Sequence, residues 1–283
     1  MSQIAGKLGL IAGGGSLPLA LAERCKAASR PFFVLRLKSF ADPAMQAFDG
    51  GDVGIAELGR AFDLLKRAGC ETVCFAGRVV RPDFAALKPD FRGVLALPGA
   101  IAASRKGDDA LLRFLLAEFE KEGFRVEGAH EVDAGLTLSP GPLGSVAPAS
   151  EHVEDIDRAL DAARAIGALD IGQAAVSVGG VILALEAQEG TDAMLERCAG
   201  LPEALRGTPA ARRGVLAKAP KPIQEWRMDM PTMGVDTVER AAAAGLAGIV
   251  GEAGALLIVD RAGVTSAADR LGLFIYGVEP GPR

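Results

Sequence analysis

Two periods of apolar residues alternate along the first half of the chain. The short apolar runs "KLGLIAG" (7–13), "PFFVLRL" (31–37) and "ETVCFAG" (71–77) have the length of buried strands. Between them, "SLPLALAERCKAA" (16–28) and "LGRAFDLLKRAG" (58–69) repeat at helical spacing. Strands separated by such helices predict βαβ units and a parallel sheet. "DDALLRFLLAEFEKEGF" (108–124) is the clearest amphipathic helix, with Asp108 and Asp109 at its start and Gly123 after its end. "RVEGAHEV" (125–132) reads as one more strand.

The second half follows a different pattern. "DAGLTLSPGPLG" (133–144) is dense in Gly and Pro, has no helical period and reads as an inter-domain linker. After it, "EDIDRALDAARAIGALD" (154–170), "GTDAMLERCAG" (190–200) and "DTVERAAAAG" (236–245) predict helices. "QAAVSVGGVILALEA" (173–187) predicts a hairpin turning at Gly179-Gly180. "GVLAKAPK" (214–221), "ALLIVD" (255–260) and "LFIYGV" (273–278) predict further strands. The fold class is therefore α/β, a Rossmann-like parallel βαβ domain over 1–132 joined by the 133–144 linker to a mixed α/β domain over 145–283.

Composition narrows the function. A net charge of −5 lacks the basic excess of a general nucleic-acid binder. Four cysteines without CxxC spacing suit reduced, buried thiols in a cytoplasmic protein. His130 and His152 are too few for a His-rich zinc site, so carboxylates would have to hold any metal. No apolar run of about twenty residues marks a spanning helix.

Four stretches can carry chemistry. "IAGGGSLP" puts Gly13, Gly14, Gly15 and Ser16 between a strand and a helix, where backbone can approach a phosphate. Pro18 stands in the place of the third glycine of a dinucleotide fingerprint, and Arg36 and Lys38 replace the usual ribose-binding acid. "SRKGDDALLRF" gathers Arg105, Lys106, Asp108 and Asp109 at a helix start, which serves a diphosphate and cation or ordinary capping. "EAQEGTDAM" places Glu186 and Thr191 where a strand turns into a helix; Thr191 reads as an anion contact or an N-cap. "PKPIQEWRMDMPTMG" is held by Pro220, Pro222 and Pro231, and an extended chain there points Glu225, Arg227 and Asp229 to one side. Its carboxylates can ligate Mg²⁺ or orient water, while Arg227, Lys218 and Lys221 neutralise phosphoryl oxygens.

At these residues the chain resembles the LpxI-type UDP-2,3-diacylglucosamine pyrophosphatases of bacterial lipid A synthesis. The likeness runs in order through "LGLIAGGGSLP", "GDDALLRF", "FEKEGFRVEGAHE", "ALDIGQAAV", "EAQEGTDAML", "KAPKPIQEWRMDMPTMG" and "AGLAGIVGEAGALLIVDR". The resemblance implies a two-domain cytoplasmic enzyme that uses Mg²⁺ to split its lipid substrate into UMP and 2,3-diacylglucosamine 1-phosphate, with water attacking the sugar-side phosphorus. It implies catalytic roles for Asp229, Arg227 and Lys221, and metal ligation by Asp229 and Glu225. Substrate contacts then fall on Gly13, Gly14, Gly15, Ser16, Lys106, Gln173, Thr191, Lys218 and Gln224. A homodimer and peripheral contact with the inner membrane complete the expected partners; nucleic acid is not among them. Glu225 departs from the pattern, standing where the family commonly has Asp. An NADP-linked oxidoreductase, resting on the glycine turn and Arg36, and a non-catalytic lipid or nucleotide-sugar carrier are the competing readings.

Overall fold

The computed structural model describes residues 6–80, 83–222 and 225–279, and the chain forms two compact α/β units. One unit is Met1–Ala134 together with Glu225–Asp229, the other Gly135–Gln224 together with Met230–Arg283.

In the first unit, β1 (Leu8–Ala12), β2 (Phe32–Leu37), β3 (Gly50–Val53), β4 (Thr72–Ala76) and β5 (Arg125–Val126) pair entirely in parallel, in the order β3-β2-β1-β4-β5. That order reverses direction beside β1, which opens a crevice at the carboxyl ends of the central strands. Strand β1 is buried along its whole length, as a central parallel strand must be. Helix α1 (Leu17–Ala27) buries Leu21, Ala22 and Cys25. Helices α2 (Leu58–Arg67) and α4 (Asp108–Lys121) bury Leu58, Phe62, Leu65, Leu116 and Phe119 in one core with Ile11, Leu35 and Val73. Phe119 meets Phe62 and Phe75 edge-on, both with centroids 4.9 Å apart, the favoured aromatic geometry.

Several elements of this unit depart from the sequence expectation, β3 among them. Helix α3 (Phe91–Ser104) has no counterpart there; Asp90 caps it through the Gly93 amide at 2.8 Å, and Pro98 lies inside it. "RVEGAHEV" is a strand only as far as Val126, after which Ala129–Val132 forms the one-turn helix α5.

The second unit holds a mixed six-stranded sheet in the order β6-β13-β11-β9-β7-β8. Its strands are β6 (Gly141–Pro142), β7 (Ala174–Val178), β8 (Val181–Leu185), β9 (Val215–Lys218), β11 (Gly248–Glu252) and β13 (Phe274–Val278). Strands β10 (Thr232–Met233) and β12 (Leu257–Ile258) form a small parallel pair. β9, β11 and β13 run parallel, whereas β7 and β8 are the predicted antiparallel hairpin. Gly179 and Gly180 both take positive φ, as a two-residue hairpin turn requires. The Asp155 carboxylate clamps that turn, accepting from the Gly179 and Gly180 amides at 3.0 and 2.8 Å and from Ser177 Oγ at 2.7 Å.

Alternate residues of β9, β11 and β13 serve opposite faces of the sheet. Val215, Ala217, Val250 and Phe274 pack with Ile156, Ala159 and Leu160 of α6 (Val153–Ala168). Leu216, Ile249 and Ile275 pack with α7 (Gly190–Ala199), α8 (Val235–Ala243) and α9 (Arg261–Leu271). Each fully buried Leu or Ile in these layers contributes roughly 1.5–3 kcal/mol. All four cysteines are buried and unbridged, and burial pushes their thiols up, Cys70 to about 11. No helix among the described residues is long and apolar enough to cross a membrane.

Candidate active site

The proline-rich stretch places Glu225–Asp229 in the first unit, as a tight turn rather than an extended strand. The Glu225 carbonyl accepts from the amides of Met228 and Asp229, both at 3.0 Å. At the start of α4, Asp109 Oδ1 accepts the Glu225 amide at 2.9 Å, while Asp109 Oδ2 takes Arg113 Nε at 2.7 Å. The two acids that sequence reasoning left open between capping and ligand binding thus divide. Asp109 anchors the turn, and Asp108 lines a cavity.

Glu225 and Arg227 form a fork-to-fork ion pair. Glu225 Oε1 meets Arg227 Nε at 2.9 Å, and Oε2 meets Nη2 at 3.0 Å. Arg227 Nη1 also donates to Glu120 at 2.9 Å, and Arg113 stands 3.7 Å from Glu225 Oε2. The Arg227 hydrogen bonds, outweighing partial burial, hold the Glu225 carboxyl below the usual glutamate range; Glu225 in turn raises Arg227. Glu225→Gln removes that pair's charge. We expect about a tenfold loss of kcat/KM through a mispositioned Arg227, and about 1 kcal/mol of stability after allowing for solvent screening. Because the folded Glu225 pKa is depressed, its contribution is complete above the ordinary glutamate value and is lost as pH falls through the lowered one. The melting difference between wild type and E225Q should therefore persist at neutral pH and close on acidification; a gap that widens toward acid would be inconsistent with this pair.

Beneath the turn lies a 430 Å³ cavity in the first unit. The carboxyl ends of β1 to β4 form its floor with Ile11, Leu37, Val53 and Phe75, and α3 and α4 form walls with Leu97, Ala100, Leu111 and Leu115. Its lining is mostly hydrocarbon, yet Glu57, Arg78, Asp108 and Asp229 also stand on it. The cavity lies where ligands bind in open parallel sheets, outside the carboxyl ends of the strands. No local sequence signal could have found it, because its walls come from seven separate elements and the 225–229 turn.

The glycine turn sits at the same end of the sheet. The Gly13 amide donates to Ala76 O at 2.8 Å and the Gly14 amide to Arg78 O at 2.9 Å, so both are tied into the backbone. A Cβ at Gly13 would come within 2.9 Å of the Arg78 carbonyl, and Gly15 has φ +86°, so this turn needs glycine for its own geometry. A phosphate here would meet Gly15, Ser16 and the first turn of α1. Lys106 is exposed in the turn between α3 and α4. Arg36, the residue on which the oxidoreductase reading leaned, is buried. It pairs with Asp52 at 2.9 Å and donates to the Phe48 carbonyl at 3.2 Å.

The remaining candidates belong to the second unit. Lys218, 4% exposed, donates to Thr191 Oγ1 at 3.0 Å and to the Thr232 carbonyl at 2.8 Å. Thr191 Oγ1 donates onward to Glu186 at 2.9 Å, and the other Glu186 oxygen accepts the Gln173 amide at 3.0 Å. Thr191 is thus a buried relay inside α7 rather than its cap. Gln173 Oε1 is buried with no partner among the described residues. Lys221 pairs with Asp170 at 2.7 Å. Gln224 lies outside the described residues.

Comparison with known proteins decides the family. The family model of the LpxI N-terminal domain matches residues 7–136, and that of the LpxI C-terminal domain matches residues 139–276. The chain belongs to the LpxI family. The UDP-2,3-diacylglucosamine pyrophosphatase LpxI of Caulobacter vibrioides is 65% identical over 277 residues, spanning 98% of this chain and 99% of that relative. The expectation of an LpxI-type enzyme built on an α/β fold is borne out.

Proposed function

We propose that the chain hydrolyses the pyrophosphate of UDP-2,3-diacylglucosamine to UMP and 2,3-diacylglucosamine 1-phosphate. One observation carries the reading beyond the family match: Asp108 and Asp229, with Glu57 and Arg78, stand on the wall of a mostly apolar cavity. A diacyl lipid with a phosphoryl group at its head asks for that combination, hydrocarbon walls for the chains and charged groups among them. Mg²⁺ fits this donor set, since it is commonly held by one or two carboxylates with waters and substrate phosphate completing its shell. Asp229 and Asp108 would hold it, whereas Glu225, with both oxygens on Arg227, serves to position that guanidinium. When bound, the ion neutralises phosphoryl charge and lowers the pKa of a coordinated water.

The protein's own groups then do the positioning on which phosphoryl transfer depends. Asp229 orients the attacking water, whose oxygen bonds to the sugar-side phosphorus as the bridging oxygen leaves with UMP. Arg227, fixed by Glu225 and Glu120, stabilises the charge that develops. The test is turnover of UDP-2,3-diacylglucosamine in ¹⁸O-labelled water, with Mg²⁺ and with EDTA. The expected products are unlabelled UMP and labelled lipid phosphate, formed only with metal. Label in UMP would move the attack to the other phosphorus, and intact substrate would leave the chain a carrier.

A further inference from the structure

Helix α3 is unusual for a surface element. Its fourteen residues carry one charge, Arg92, and only Gly93 and Ser104 are buried. Phe91, Val94 and Leu95 are 79, 52 and 67% exposed, and Pro98 and Ala102 continue the same stripe at helical spacing. The opposite side of the helix is already in use, because Ala96, Leu97 and Ala100 line the apolar cavity. A second cavity opens beside Phe91 and Leu95. The segment that carries the stripe is basic: residues 78–106 hold six Lys and Arg against two Asp, in a chain whose overall net charge is −5. Lys88, Arg92, Arg105 and Lys106 are exposed, and Arg92 pairs with Glu122. Isolated exposed apolar residues need no explanation, but a contiguous apolar stripe in a basic segment does.

We propose that this face of α3 docks the first unit onto a bilayer surface containing anionic phospholipid. The apolar stripe enters the headgroup–acyl boundary and the neighbouring Lys and Arg meet the lipid phosphates, the pattern of an interfacial helix. The helix that touches the lipid phase is also a wall of the cavity, so one element faces both the bilayer and the apolar space. The purpose of the docking rests on the lipid-substrate reading; the docking itself does not.

The experiment is flotation of the full-length protein with phosphatidylcholine vesicles, with and without phosphatidylglycerol. The wild type should float only with the anionic lipid. Phe91→Ser with Leu95→Ser should lower the bound fraction about tenfold, and Lys88→Glu about fivefold with a weaker dependence on salt. Melting temperature and turnover of substrate in detergent micelles should be unchanged in both. Should the double variant fail to fold, Lys88→Glu, at an exposed position, still tests the basic flank. Wild type that does not float, or variants that float like it, would overturn the proposal. So would a wild-type oligomer that the double variant splits into monomers while flotation stays absent, since the stripe would then bind a second copy of the chain. Normal flotation without any turnover would instead remove the pyrophosphatase reading and leave the docking standing.

Discussion

Asp229→Ala should lower kcat by about 10²- to 10³-fold while leaving KM for the lipid nearly unchanged. The side chain stands on the cavity wall with Asp108, where the reacting phosphoryl group is proposed to sit. In the proposed mechanism its interaction with the attacking water strengthens in the transition state, so the loss should fall on kcat. The turn is also held by the Asp229 amide on the Glu225 carbonyl. The melting temperature, read beside the kinetics, separates a lost charge from a lost fold. Initial rates of UMP release at saturating substrate are the measurement, and near-normal turnover in a folded D229A protein would remove Asp229 from the mechanism. Asp229→Asn refines the answer. If charge is what matters, Asn is as inactive as Ala; if water orientation alone matters, Asn recovers much of the rate.

Ala100→Trp should raise KM for a long-chain diacyl substrate by about 10²-fold and spare an analogue with short acyl chains. Ala100 lines the cavity from α3, so an indole there occupies space proposed for hydrocarbon. Each methylene kept in water costs about 0.8 kcal/mol, so displacing roughly four costs about 3 kcal/mol, a factor of about 10² in binding. Overpacking can itself cost about 1–3 kcal/mol, so the melting temperature must be read beside the kinetics. Equal losses on long and short chains would mean that the cavity does not take the acyl groups.

The elements legible in the sequence share one property, a clean apolar period. β1, β2, β4, α2 and α4 all fall inside the ranges that spacing predicts. β3 reads "GGDV" and has too few apolar residues to register, although it pairs with β2 along its length. α3 was hidden for the opposite reason: apolar nearly all round, with two glycines and Pro98, it shows no polar face to reveal a period. β11, "GIVGE", is interrupted by Gly248 and Gly251, and at Gly248 a Cβ would come within 2.3 Å of the Phe274 ring. α9 is built from Ala, Gly, Ser and Thr around a few larger residues, and its amphipathicity is correspondingly faint.

The candidate site was half legible for a related reason. Charges packed between prolines drew attention to Glu225, Arg227 and Asp229, and the structure does gather them in one turn. Their partners could not be read, because Asp109 and Glu120 are 116 and 107 residues away in sequence. Nor could spacing show that Glu225 is taken up by Arg227. Thr191 looked like a cap because caps are common at such positions; only burial beside Lys218 reveals the relay.

The first unit is discontinuous: its sheet is complete by Ala134, yet Glu225–Asp229 also belongs to it. A chain emerging from the ribosome can assemble the parallel sheet long before the turn that carries Asp229 has been made. A fragment ending at the 7–136 family boundary would keep its strands and lose the carboxylate. On the proposed roles the order of synthesis becomes a safeguard, since a half-made chain could hold lipid in its first unit but could not cut it.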